Sequence, residues 1–111
     1  MNLATIITNT NFEIQMFLLK KYSHHIKFIE LRIDTFYPEK EPIKNVLNKI
    51  KSLNKKVVLT FRSFSEGGKL KISETKILSF VIEILSQNKQ EIDFLDIEIN
   101  SKIKPQLVQL A

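Results

Sequence analysis

Seven ionisable side chains occupy similar places in this sequence. Glu30, Arg32 and Asp34 alternate along one apolar run, Arg62 and Glu66 follow a second, and Asp96 and Glu98 alternate along a third. A fixed guanidinium holds carboxylate or hydroxyl oxygens through a planar fork of donors. Carboxylates beside Arg32 and Arg62 would pair with the arginines or accept from hydroxyl groups. Were all seven to share one water-poor cavity, the acids would outnumber the bases in a chain whose net charge is +5. Positive groups from elsewhere would then have to balance them. Glu66 stands beside Gly67 and Gly68, the only two glycines of the chain. Both falling in one loop implies a positive φ, a close approach to a ligand, or an ordinary structural turn.

The elements around these residues follow from periodicity. Leu3–Thr8 is a short apolar run suited to a strand buried on both faces. Asn9, Thr10 and Asn11 can cap a helix over about Phe12–Ser23, with Phe12, Met16 and Leu19 on one stripe and Phe17 and Leu18 beside it. His24 and His25 then suit the negative end of that helix. A second strand, Lys27–Asp34, splits into Ile29, Leu31 and Ile33 on one face and Phe28, Glu30, Arg32 and Asp34 on the other. After a loop containing Pro38, Pro42 opens a helix with Ile43, Val46, Leu47, Ile50 and Leu53 at helical spacing. The third strand divides Val57, Leu59 and Phe61 from Val58, Thr60 and Arg62. Ser73 can cap a helix running to about Asn88, buried through Ile77, Phe80, Val81, Ile84 and Leu85. Phe94–Asn100 supplies a fourth strand, and Pro105 is expected to open a fourth helix.

Strict alternation of strand and helix demands a parallel sheet with right-handed crossovers. Two arrangements accommodate the charged strand faces. In an open two-layer sheet they are solvated. In a barrel they converge at the C-terminal mouth, the end at which such folds carry their chemistry.

Composition narrows the function. The chain of 111 residues has room for one domain, and it lacks cysteine, which removes disulfides, thiolate metal sites and cysteine nucleophiles. No run approaches the roughly 18–20 apolar residues of a membrane span, and a cytoplasmic protein is expected. The lysines are scattered rather than clustered, so neither a nucleic acid nor a membrane is expected as a partner.

Four stretches together resemble the first half of type I 3-dehydroquinate dehydratase: ELRID at Glu30–Asp34, TFRS at Thr60–Ser63, EGG at Glu66–Gly68 and DIE at Asp96–Glu98. That family is the Schiff-base enzyme of the shikimate pathway, a (β/α)8 barrel. The resemblance implies an α/β fold, the parallel (β/α)4 half of a TIM (β/α)8 barrel, with residues 1–111 as a single N-terminal half-barrel segment. It implies that Glu30 and Arg32 meet the polar end of the substrate, and that Arg62 binds the substrate as well. Glu66 is matched to the family's catalytic carboxylate, which orients and charges a histidine. Asp34, Asp96 and Glu98 are expected as pairing partners without a chemical role. In the family a lysine amine forms an iminium with the substrate ketone, which acidifies the neighbouring C–H. A histidine takes that proton and then helps expel water, giving 3-dehydroshikimate without a metal or separate cofactor.

One departure is large. The family's lysine and histidine lie on strands five and six, and this sequence stops just past strand four. His24 and His25 precede strand two and cannot replace the missing base. The chain is therefore expected to be inactive alone, either as a truncated product or as a half completed by a separate C-terminal half-barrel or by self-association. The alternative is a non-catalytic half-barrel module for binding or assembly around a small anionic polyol acid. An unrelated βα protein with a solvated charged face would bind no such ligand.

Overall fold

The computed structural model describes residues 3–62, 73–97 and 106–109. Along the chain run β1 (Leu3–Ile7), α1 (Phe12–Lys21), β2 (Ile26–Arg32), α2 (Glu41–Ser52), β3 (Lys56–Phe61), α3 (Glu74–Gln87), β4 (Phe94–Ile97) and β5 (Gln106–Gln109). The strands lie in one sheet in chain order. β1 through β4 are mutually parallel, and β5 joins the edge of β4 antiparallel. The four parallel strands with their crossover helices form the expected half-barrel.

The helix-facing side of the sheet is the core. Ile29, Leu31, Val57, Leu59 and Phe61 are fully buried under Ile43, Leu47 and Ile50 of α2 and Ile77, Phe80 and Ile84 of α3. Each such aliphatic side chain contributes about 1.5–3 kcal/mol on burial. The apolar residues of α2 recur at helical spacing, which places all of them on one stripe. The helix ends where Asn54 takes a left-handed conformation (φ 63°), a position that asparagine tolerates better than most residues. Ser73 caps α3 as expected, its Oγ accepting the Lys76 N–H at 3.3 Å.

Asp93 fastens the N-terminal ends of β3 and β4 to α2. Its Oδ2 accepts the Val57 N–H at 2.8 Å and the Lys51 ammonium at 3.1 Å, and its own N–H donates to the Val57 carbonyl at 3.0 Å. Burial opposes ionisation of Asp93. The Val57 N–H, Lys51 and Lys56 outweigh it and hold the carboxyl below the usual carboxylate range.

The structure departs from the sequence-based expectations at several places. Residues 106–109, expected in a fourth helix, form β5. The outer edge of β4 offers unpaired backbone groups, and the four-residue ladder satisfies them, whereas a short helix starts with a costly nucleus. α1 stops at Lys21, and Ser23–His25 form a separate 3-10 turn. Phe17 is 65% exposed, because the stripe of Phe12, Met16 and Leu19 is the one that packs against the core. Asn11 does not cap α1 with its side chain. It accepts the Thr8 N–H at 2.7 Å and donates to the Ile6 carbonyl at 3.3 Å, bracing the turn after β1. β2 ends at Arg32, because the Thr35 hydroxyl donates to the Arg32 carbonyl at 2.6 Å and closes a 3-10 turn over Ile33–Thr35. Asp34 is therefore buried in a turn rather than carried on a strand.

Candidate functional site

On the side away from the helices, parallel register stacks the strand residues in rows. Glu30 of β2 lies level with Val58 of β3 and Phe94 of β4, and Arg32 lies level with Thr60 and Asp96. The lower part of this face is an apolar floor, where the rings of Phe28 and Phe94 stand 6.3 Å apart across Val58. The upper part is ionic, at the C-terminal ends of the strands.

Arg62 follows the last residue of β3 and projects its guanidinium between two carboxylates. Its Nη2 lies 3.1 Å from Asp96 Oδ2 and 3.6 Å from Glu30 Oε1. Thr60 donates its hydroxyl to the same Glu30 oxygen at 2.9 Å. Arg32 forks onto Asp34, with Nε to Oδ1 at 3.1 Å and Nη2 to Oδ2 at 2.7 Å. The hydrogen bond that Arg32 donates to Asp34 is the main reason its guanidinium titrates above its ordinary range; burial opposes the shift, and the charges of Asp34 and Glu30 reinforce it. Asp34 Oδ1 also accepts the backbone N–H of Arg62 at 3.3 Å, so one buried carboxylate links the ends of β2 and β3.

These contacts choose between the two arrangements that periodicity leaves open. The Arg62, Glu30 and Asp96 side chains are 26%, 22% and 18% exposed. They turn toward one another rather than outward, as side chains at a barrel mouth do. The three carboxylates and two guanidiniums described here leave a slight negative excess, with polar atoms still in reach of solvent. Such a cluster can exchange water for the hydroxyl and carboxylate groups of a small ligand.

The structure brings Glu30, Arg62 and Asp96 into one contact group, with Arg32 joined to it through Asp34. Glu66, Gly67, Gly68 and Glu98 lie outside the described residues. His24 and His25 are exposed in the turn that enters β2. That is the N-terminal end of the sheet, about 20 Å of strand from the mouth at roughly 3.3 Å per residue. Lys76 and Lys89 are exposed on the helical side. Two hydroxyl residues escape a charge-based search. Thr60 supports Glu30, and Thr35 accepts the Asn9 N–H at 3.0 Å, tying the loop after β1 to the turn after β2. For Thr60 the signal was its place on the charged face of β3; nothing in the sequence singles out Thr35.

Parallel strands wrapped by helices, with ionic groups gathered at the strands' C-terminal ends, define this chain as half of a (β/α)8-type barrel. The sequence profile described as type I 3-dehydroquinase matches residues 3–111, and the chain belongs to that family. The 3-dehydroquinate dehydratase of Staphylococcus saprophyticus is 34% identical over 100 residues, covering 84% of this chain and 41% of that relative. The enzyme of the same name from Staphylococcus haemolyticus is 33% identical over 86 residues, covering 75% of this chain and 35% of the relative. The crystal structure of the 3-dehydroquinate dehydratase from Aquifex aeolicus matches with a TM-score of 0.66 at 26% identity, covering 92% of this chain and 43% of that one. The chain thus spans less than half the length of each of these relatives.

Proposed function

We propose that this chain supplies the substrate-binding half of a 3-dehydroquinate dehydratase site, with Arg62, Arg32 and Glu30 as its contacts and Glu66 as the carboxylate that orients a histidine. The observation that carries the proposal is Arg62, held at the mouth between Glu30 and Asp96. 3-Dehydroquinate has a carboxylate, hydroxyls and a ketone. The arginines suit its anionic and hydroxyl oxygens, and the Glu30 carboxylate suits a hydroxyl hydrogen. The dehydration itself needs an amine and an imidazole at the mouth. The amine condenses with the ketone and releases water, and the imidazole takes the adjacent carbon-bound proton. The carbon–oxygen bond then breaks, the hydroxyl leaves as water with a proton from the imidazole, and hydrolysis frees the amine. The lysines fixed around this sheet, Lys51, Lys55 and Lys56, lie at the N-terminal end of β3, remote from the mouth. Among the described residues none places an amine or an imidazole at the mouth, and we assign the reactive groups to a complementary half-barrel.

Calorimetric titration with 3-dehydroquinate tests the binding half. The intact chain is expected to bind, and Arg62→Ala to weaken binding by about tenfold or more, the loss of one charge-assisted contact. Unchanged affinity in the variant would overturn the assignment. Borohydride treatment of the chain with the same ligand, followed by mass spectrometry, is expected to leave the protein mass unaltered; a trapped adduct would place the nucleophile within the chain. The second reading, a non-catalytic module for a small anionic polyol acid, rests on the same arginines. It predicts comparable affinity for shikimate, which lacks the ketone.

A further inference from the structure

We infer that Thr60 is a positioning residue, which sets the direction of the Glu30 carboxylate so that its second oxygen meets a hydroxyl of the bound polyol acid. The inference rests on the substrate-binding reading above and adds to it a residue that carries no charge.

Three features support this role. Thr60 has no solvent-accessible surface, so its hydroxyl must find its partner within the protein. That partner is Glu30 Oε1 at 2.9 Å, and since an ionised carboxylate only accepts, the threonine is the donor. In register, Thr60 lies level with Arg32 and Val58 lies level with Glu30, so the hydroxyl reaches diagonally back across the ladder. A β-branched side chain on a strand has little freedom about χ1, which fixes the direction of that reach. Arg62 Nη2 approaches the same oxygen, at 3.6 Å. With two neighbours on Oε1, the plane of the carboxylate and the direction of Oε2 are set before a ligand arrives. A site prepared in this way to accept from a hydroxyl discriminates strongly against an analogue that lacks it.

The test pairs an isosteric substitution with a measurement that needs no ligand. In the free chain, NMR of the carbon-13-labelled Glu30 side-chain carboxyl is expected to change in Thr60→Val and to return toward the wild-type signal in Thr60→Ser. In calorimetry with 3-dehydroquinate, Thr60→Val is expected to weaken binding about tenfold, the value of one oriented hydrogen bond, and Thr60→Ser to recover most of it. In a Glu30→Ala background the same Thr60→Val change should alter affinity less than about twofold, because nothing remains to be oriented. An unchanged Glu30 signal in a folded Thr60→Val chain would overturn the inference. So would an equal loss of affinity with and without the Glu30 carboxylate, which would mark Thr60 as merely structural. A chain whose Glu30 responds to Thr60 but which binds no 3-dehydroquinate would overturn the substrate reading and leave the positioning contact standing.

Discussion

Arg62 reaches its place because it sits one residue beyond β3, on the face that Val58 and Thr60 share and opposite the buried Phe61. That face is legible from letters alone, since side chains alternate along a strand and register does the rest. Arg32 is different. It shares the same face, yet its fork is occupied by Asp34, a residue expected at the end of a strand and found in a turn. The turn depends on the Thr35 hydroxyl, and a short-range bond of that kind leaves no periodic trace in a sequence. Asp34→Asn removes half of the Arg32 fork and the charge that faces the Arg62 N–H. It is expected to destabilise the fold by about 1–3 kcal/mol, measured by urea unfolding, as a buried charged partner is lost. The place of Thr60 on the charged face of β3 is legible too, but its role as a donor to Glu30 is not, because threonine in a strand ordinarily signals β propensity alone.

At the level of elements, α2 shows how much a strong pattern conveys. Spacing marks Ile43, Val46, Leu47, Ile50 and Leu53 for burial; the first four are buried, and Leu53, one residue past the helix, is only partly so. Leu47→Ala is expected to cost about 2–5 kcal/mol in equilibrium unfolding, through lost transfer energy and the cavity left behind. α1 conveys less, since its apolar residues go all round and only contact with the sheet decides that Phe17 stays outside. β5 was illegible because its conformation is set by the edge of β4, a partner distant from local preference. Asp93 ties α2 to β3 and β4, and its lowered pKa gives that tie a pH dependence. The folded-state pKa is below the unfolded one, so the stabilisation is complete above the unfolded value, near ~3.9, and disappears as pH falls through the folded value. Asp93→Asn should therefore lower stability by about 1 kcal/mol near pH 6. In thermal unfolding scans its difference from the wild type should shrink toward zero as the pH falls through the folded-state value.

On the scale of the molecule, the chain is a family member that spans less than half of its relatives and holds one side of a barrel mouth. Helix-facing aliphatics make the half-barrel cohere, while the opposite face keeps an apolar floor under an ionic rim. In the proposed reading, 3-dehydroquinate binds at this rim, at the C-terminal ends of β2, β3 and β4. Titrating the nitrogen-15-labelled chain with 3-dehydroquinate and following the backbone amides maps the site directly. Shifts are expected at Glu30–Asp34, Thr60–Arg62 and Asp96, with little change around His24, His25 and Lys55. Shifts centred instead on the N-terminal ends of the strands, or no saturable shift at millimolar ligand, would contradict it.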